Sequence, residues 1–430
     1  MSAPKTIRIR MYQVGFGDCF LLSFDYSPKP ARHVLIDCGS MASPQGSPSG
    51  LIRRVAASIA DTVGNDPFAV VATHRHADHV SGFDPGANGK GAGAIIAALK
   101  PRFVVQPWTE DPRLPTDAEA PSARRGMALR RKTLDDLGAV AEQIVRQYVP
   151  RLRRIGAVRA IARQLDFIGR DNIKNRRAVE NLMTMAPNDY VHAGRTTRLT
   201  RFLPGVRVHV LGPPTIRQHD GVRRQRAEHT DEFWHLQARS LAMGARGGPA
   251  KGGALFHDYP SVEGRHAPIS ARWLVNAMKT ENAGQLLQLV RILDNAMNNT
   301  SLILLFECGD QKLLFPGDAQ IENWEYALNK PSLRRHLEQV SVYKVGHHGS
   351  LNATPKSLWK IWFPDAGNGA NAARRMVSLL STLHGKHGDP DNDSEVPRGK
   401  LVNALKDRTT LKTTEAIGGA DFHDEIVTVA

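Results

Sequence analysis

The chain has 430 residues and a formal net charge of +15, from 57 lysines and arginines against 42 acidic residues. A composition 41% hydrophobic and 23% charged belongs to a folded globular protein and excludes low-complexity and collagen-like classes. Apolar runs such as Ser301 to Phe306 stop far short of the roughly 20 residues a membrane helix needs. Cys19, Cys38 and Cys308 are odd in number and lack finger spacing, which argues against a disulfide framework or a zinc knuckle. The first residues carry no apolar signal-peptide core, so the expected location is cytoplasmic, without membrane insertion.

Residues 6–14, with Ile7, Ile9 and Met11 alternating, predict a first strand, and 19–24 a second after the turn Gly15-Phe16-Gly17-Asp18. Residues 33–36 predict a third, ending in Asp37-Cys38-Gly39. Asp37 has two equally good roles there: holding a metal-binding histidine by hydrogen bond, or capping a helix expected over 51–61. Residues 68–73 then run as a buried strand into His74-Arg75-His76-Ala77-Asp78-His79. Imidazole and carboxylate together suit divalent first-row metals. This spacing lets one tight loop serve two ions, His74 and His76 toward one, Asp78 and His79 toward the other. A helix over 92–99 and a strand over 103–105 complete a second strand, loop, helix, strand unit, the rhythm of an α/β fold.

From residue 110 the pattern changes. Pro112, Pro115 and Pro121 mark a loop, and residues 128–148, 152–168 and 178–185 have helical spacing with dense arginine. Residues 121–180 hold 15 lysines and arginines against 6 acidic residues. The expected organisation is therefore a body whose first half is 1–110, a basic helical insertion over 111–190, and a second half over 191–214 and 297–430. A second, polar insertion over 215–296 interrupts that half, with helices over 270–278 and 283–296. Strand character returns at 206–211 and is stopped by Gly212-Pro213-Pro214.

Residues 300–307 and 311–315 flank Cys308-Gly309-Asp310 as a hairpin. Its second strand runs into Pro316-Gly317-Asp318, and a strand over 342–345 runs into Gly346-His347-His348-Gly349-Ser350. Ser378, Ser381, His384 and His387 offer further polar lining, and a strand over 425–429 closes the chain. Several strands thus end in metal-type side chains, as a site held on rigid elements requires.

Asp37, the His74 to His79 motif, Gly317-Asp318 and His347 resemble the metallo-β-lactamase superfamily in order and spacing, outside the two insertions. Within it, Val14 to Asp18, Asn298 to Leu302, Leu314 to Asp318 and Val345 to Ser350 are most similar to the soluble hydrolase domain of the competence DNA-uptake protein ComEC and its stand-alone relatives. The resemblance implies an αββα sandwich with two divalent ions, zinc or manganese, at the open edge of its sheets. It implies His74 and His76 as ligands of the first ion, Asp78, His79 and His347 as ligands of the second, and Asp318 as the bridging carboxylate. His348 then falls just outside the ligands. Relatives commonly add a histidine after the strand equivalent to 206–211, where this chain has Gly212-Pro213-Pro214; His192, His209 and His219 are candidates to replace it.

Two such ions bind a water between them and lower its pKa from about 15.7 to near 7. The expected activity is hydrolysis by that hydroxide, with Asp78 and Asp318 orienting it, His348, His384 and His387 placed to protonate the leaving oxygen, and Ser350 supporting a phosphate. The resemblance and the basic insertion together point to a phosphodiesterase or nuclease that grips a nucleic-acid backbone through its phosphates. Residues 121–180 contain two aromatics, Tyr148 and Phe167, so no stacking platform and no sequence specificity is expected. The alternatives are a hydrolase of a small ester, lactone, lactam or cyclic nucleotide, and a metal-stabilised binding module that engages a protein partner.

Overall fold

The computed structural model of the protein describes residues 3–47, 49–114, 120–121, 146, 149–153, 161–166, 175–219, 297–364, 376–386 and 395–430. The chain divides into two units, one of residues 1–127, 174–225 and 296–430, the other of residues 128–173 and 226–295. In the second unit the described residues include the helical turn Val149–Leu152 and an ion pair between Arg153 and Asp166. The helices expected over 128–148, 152–168, 270–278 and 283–296 lie wholly or mostly outside the described residues.

The first unit is mixed α/β, built on two sheets. The seven-stranded sheet consists of β1 (Thr6–Tyr12), β2 (Cys19–Asp25), β3 (Arg32–Cys38), β4 (Phe68–Val71), β5 (Val104–Pro107), β6 (Asn188–Val191) and β13 (Phe422–Thr428), in the order β13-β1-β2-β3-β4-β5-β6. The six-stranded sheet runs β12 (Thr410–Thr413), β11 (Val377–Leu380), β10 (Val342–Lys344), β9 (Gln311–Phe315), β8 (Ile303–Cys308), β7 (Arg207–Gly212). Both mix parallel and antiparallel pairing. β1 pairs antiparallel with β13 from Thr6 opposite Thr428 to Tyr12 opposite Phe422, so the two ends of the sequence lie side by side. The β8–β9 hairpin forms where the sequence places it, turning at Gly309 with φ 56°.

Side chains alternate across a strand, and that alternation sorts the core into layers. Ile7, Ile9 and Met11 of β1 and Phe20, Leu22 and Phe24 of β2 join Val208, Val210, Leu304, Phe306, Leu313 and Phe315 in one core shared by the two sheets. Phe20 meets Phe315 edge to face at 5.7 Å between ring centroids. A second core fills the other face of the first sheet, under helices Leu51–Val63, Ala92–Ala98 and Arg176–Thr184. A third lies on the other face of the second sheet, under helices Ile321–Asn329, Lys356–Trp362 and Gly399–Arg408, around the fully buried Trp324. At about 1.5–3 kcal/mol for each large apolar side chain buried, these three layers are what hold the sheets in register.

The body extends further into the arginine-rich region than the sequence suggests. Helix Arg176–Thr184 buries Ala178 and Leu182 in the second core while Arg176 and Arg177 face solvent, and β6 extends the sheet in parallel beside β5. Residues 176–191, expected within the basic insertion, thus belong to the first unit, with Arg176 and Arg177 on the outer face of the helix. Among the described residues no helix is long and apolar enough to cross a membrane.

Candidate metal centre

Parallel pairing of β3 with β4, and of β10 with both β9 and β11, brings their C-terminal ends to one end of each sheet. Each of these ends supplies a part of the centre. Asp37, next to last in β3, adopts φ 57°, a left-handed conformation that aspartate and asparagine tolerate better than most residues. Its carboxylate accepts hydrogen bonds from the Thr73 N–H (2.7 Å), Thr73 Oγ1 (2.7 Å) and His79 Nδ1 (2.8 Å). Helix Leu51–Val63 begins after Gly50 without a side-chain cap, so of the two roles open to Asp37 it takes the histidine.

With Nδ1 held by Asp37, His79 presents Nε2 to Asp318 Oδ2 at 3.1 Å and Asp78 Oδ2 at 3.7 Å. His348 is aimed in the same way. Its Nδ1 donates to the Ser381 carbonyl at 3.0 Å, and Nε2 stands 2.8 Å from Asp78 Oδ2 and 3.6 Å from Asp318 Oδ2. One ring nitrogen tethered to an acceptor and the other turned inward is the usual posture of a metal-binding imidazole. Asp78, His79, Asp318 and His348 bring one ligand-type atom each within 4.8 Å of one another, and His74, His76 and Asp78 form a second such group. Asp78 is common to both.

The local chain explains the convergence. His74 and His76 lie two residues apart just beyond β4, with His74 Nε2 3.1 Å from His76 Nδ1. The helical turn Ala77–Val80 then returns Asp78 and His79 toward the same point. Gly39 permits this. A Cβ there would lie 2.3 Å from the Asp78 carbonyl carbon and 2.4 Å from the His79 nitrogen, so any side chain would push the turn outward.

Two more charged residues complete the surroundings. Lys344, the last residue of β10, pairs with Asp18 and reaches Asp318 Oδ1 (3.2 Å) and the Gly317 carbonyl (3.1 Å). Asp18 also lies 3.7 Å from His79 Nδ1 and 3.8 Å from His348 Nδ1. Asp18, Asp37, Asp78 and Asp318 are each no more than 2% exposed. Four buried carboxylates thus face one buried ammonium.

The ionisation follows from that imbalance. Burial alone would raise the acids, but His79 and then Lys344 hold Asp318 well below the usual carboxylate range, and His79 and His348 lower Asp78. Burial works against charge on His79 and His348, yet the acids, Asp318 foremost, raise both above the ordinary imidazole value. Burial, His79 and His76 push His74 well below it, leaving a neutral ring, the form that binds metal. The donor set fits divalent ions: imidazole and carboxylate ligands, a negative surplus, and tethered rings.

Of the sequence-predicted residues, the structure brings together His74, His76, Asp78, His79 and Asp318. It puts His348, not His347, in the four-residue group. His347 is only partly buried and contributes its backbone N–H to Asp318 Oδ1 at 3.1 Å. Both histidines have positive φ, 45° and 49°, a pair of left-handed turns that points the second ring inward. None of the three substitutes proposed for the missing histidine joins the centre: His192 bonds the Ala193 carbonyl, His209 pairs with Glu307 and His219 with Glu325. Asp78 is the third member of the first group instead. Ser350 is half-buried at the turn after His348, His384 is exposed with its N–H on Glu415, and His387 lies outside the described residues. Sequence inspection missed Lys344 and the charge role of Asp18. The signal was there in a lysine within an otherwise apolar strand and an acid just before β2.

No protein-family model matches the chain, and no curated protein is significantly similar to it.

Proposed function

We propose that this protein is a metal-dependent hydrolase of the metallo-β-lactamase type, an αββα sandwich that cleaves phosphodiester bonds of nucleic acid. The observation that carries the proposal is the sharing of Asp78 between two ligand groups, one of His74 and His76, the other of His79, Asp318 and His348. That arrangement suits two neighbouring ions. Bound there, zinc or manganese would supply Lewis acidity and a water of lowered pKa.

The chain's own residues prepare the site for that chemistry. Asp37 and the Ser381 carbonyl hold the rings of His79 and His348 in the tautomer that turns Nε2 inward. Lys344 neutralises part of the charge on Asp18 and Asp318 and locks the strand end that carries Asp318. Burial of the carboxylates and imidazoles keeps the interactions among them strong. The net charge of +15 supports a polyanionic substrate, attracted and held through phosphates without base readout.

The test is incubation of zinc- or manganese-loaded protein with single- and double-stranded DNA and RNA, beside His76→Ala and Asp78→Ala. Metal-dependent cleavage that both substitutions abolish is expected. Absence of cleavage of all four substrates, with metal demonstrably bound, overturns the nucleic-acid assignment.

A further inference from the structure

A third group of ligand-type side chains lies away from the centre, on the first unit's six-stranded sheet. His209 of β7, Glu307 of β8 and His336 of the turn Arg335–Leu337 each offer one ligand atom, all within 4.8 Å of one another. The register explains the meeting. Arg207 stands opposite Glu307 and His209 opposite Leu305, which makes His209 and Glu307 diagonal neighbours on one face, within reach of each other's side chains. That pair lies toward the start of β7 and the end of β8. Ser301, whose Oγ accepts from the Asp318 N–H at 3.4 Å, lies at the other end, just before β8 begins.

We infer that His209, Glu307 and His336 form a separate binding site for one borderline divalent transition-metal ion such as zinc, nickel or cobalt. Two imidazoles and one carboxylate are a ligand set of known zinc sites, and imidazole disfavours magnesium and calcium. His209 Nε2 stands 2.7 Å from Glu307 Oε2. Ligands about 2.0–2.1 Å from one ion lie about 3.0–3.4 Å apart, so His209 and Glu307 already stand close to ligand spacing. The rings of His209 and His336 stack at 3.9 Å between centroids, 27° apart, so one ring must swing out of the stack for both lone pairs to converge on one ion. Arg207 takes the other carboxylate oxygen, Oε1, at 2.7 Å, which fixes Glu307 and leaves Oε2 directed at the histidines.

On binding, His209 releases to solvent the proton that Nε2 donates to Glu307 Oε2 and presents that nitrogen, and solvent completes the sphere on the exposed side. The ion would tie the turn Arg335–Leu337 to the β7–β8 edge, a structural clip with no part in hydrolysis.

The site is tested in the full chain by cobalt titration, followed by visible absorption, and by zinc content after gel filtration. His336→Ala and Glu307→Gln, each confirmed as folded by circular dichroism, are expected to lose one equivalent relative to wild type and to cleave nucleic acid at the wild-type rate. The combined Asp78→Ala, His79→Ala variant is expected to keep that equivalent and lose it when His336→Ala is added. Unchanged stoichiometry in His336→Ala and Glu307→Gln overturns the inference. It would leave the proposed hydrolase untouched, because that proposal is read from the Asp78 and His76 variants.

Discussion

Replacing Asp37 with asparagine removes one charge and one acceptor oxygen from the group that orients His79. The substitution keeps the size of the side chain, and asparagine also tolerates the φ of 57° found there. Its remaining oxygen can still accept the Thr73 N–H, now made to Asp37 Oδ1 at 2.7 Å. The other carboxylate oxygen, which takes both Thr73 Oγ1 and His79 Nδ1, becomes an NH₂ group. Two donors then face each other at 2.8 Å. His79 escapes by moving its proton to Nε2, the nitrogen aimed at Asp78 and Asp318, and is lost as a ligand. Loss of a partner of this kind weakens metal binding by about 10–100-fold, or about 1.4–2.8 kcal/mol. A charge-assisted hydrogen bond contributes about 1.5–3 kcal/mol, a range that agrees. Competition against a chromophoric chelator measures the affinity directly. A folded Asp37→Asn protein that binds zinc within twofold of wild type would refute the assignment of Asp37 as the group that orients His79.

Three further outcomes follow from the same geometry. Lys344→Met leaves Asp18 and Asp318 buried without their ammonium partner, and should lower stability by about 3–5 kcal/mol in urea unfolding in chelator, with much of the loss recovered at saturating zinc; an unchanged midpoint would contradict the ion-pair assignment. Gly39→Ala forces a methyl group against the Asp78 and His79 backbone, so thermal melting should show a loss above about 1 kcal/mol together with weaker zinc binding, whereas a neutral effect would mean the turn moves freely. Stability in chelator should decline between pH 6.5 and about 4 in part through His336, whose folded pKa of about 4 lies below its ordinary 6.5, so the unfolded chain takes up the proton first. This contribution is absent above pH 6.5, and His336→Gln should flatten the slope in that window.

The parts of the centre that were legible in sequence are those set by short-range geometry. His74 to His79 is one strand end and one helical turn, and Asp37 and Asp318 follow apolar runs that could only be buried strands. The choice of His348 over His347 was not legible, because it depends on two consecutive left-handed residues that no local pattern announces. The pairing of Lys344 with Asp18 joins β10 of one sheet to the residue preceding β2 of the other, a contact that exists only once both sheets have packed. β6 escaped notice for a different reason. Asn188, Asp189 and Tyr190 look like loop residues, and their strand character comes from parallel pairing beside β5, with Asp189 bonded to Thr197 and the Arg198 N–H.

The pairing of β1 with β13 bears on how the protein is made. During synthesis β1 finds one of its two neighbours, β2, at once, but waits for all the residues between Tyr12 and Phe422 before Phe422 to Thr428 can cover its other edge. Until then the growing chain carries an open strand edge, of the kind that invites association with other unfinished chains. Contacts so distant in sequence also make completion of the fold slow. Deleting residues 422–430 should therefore show itself first as aggregation during expression, before any effect on the histidine-bearing loops can be measured.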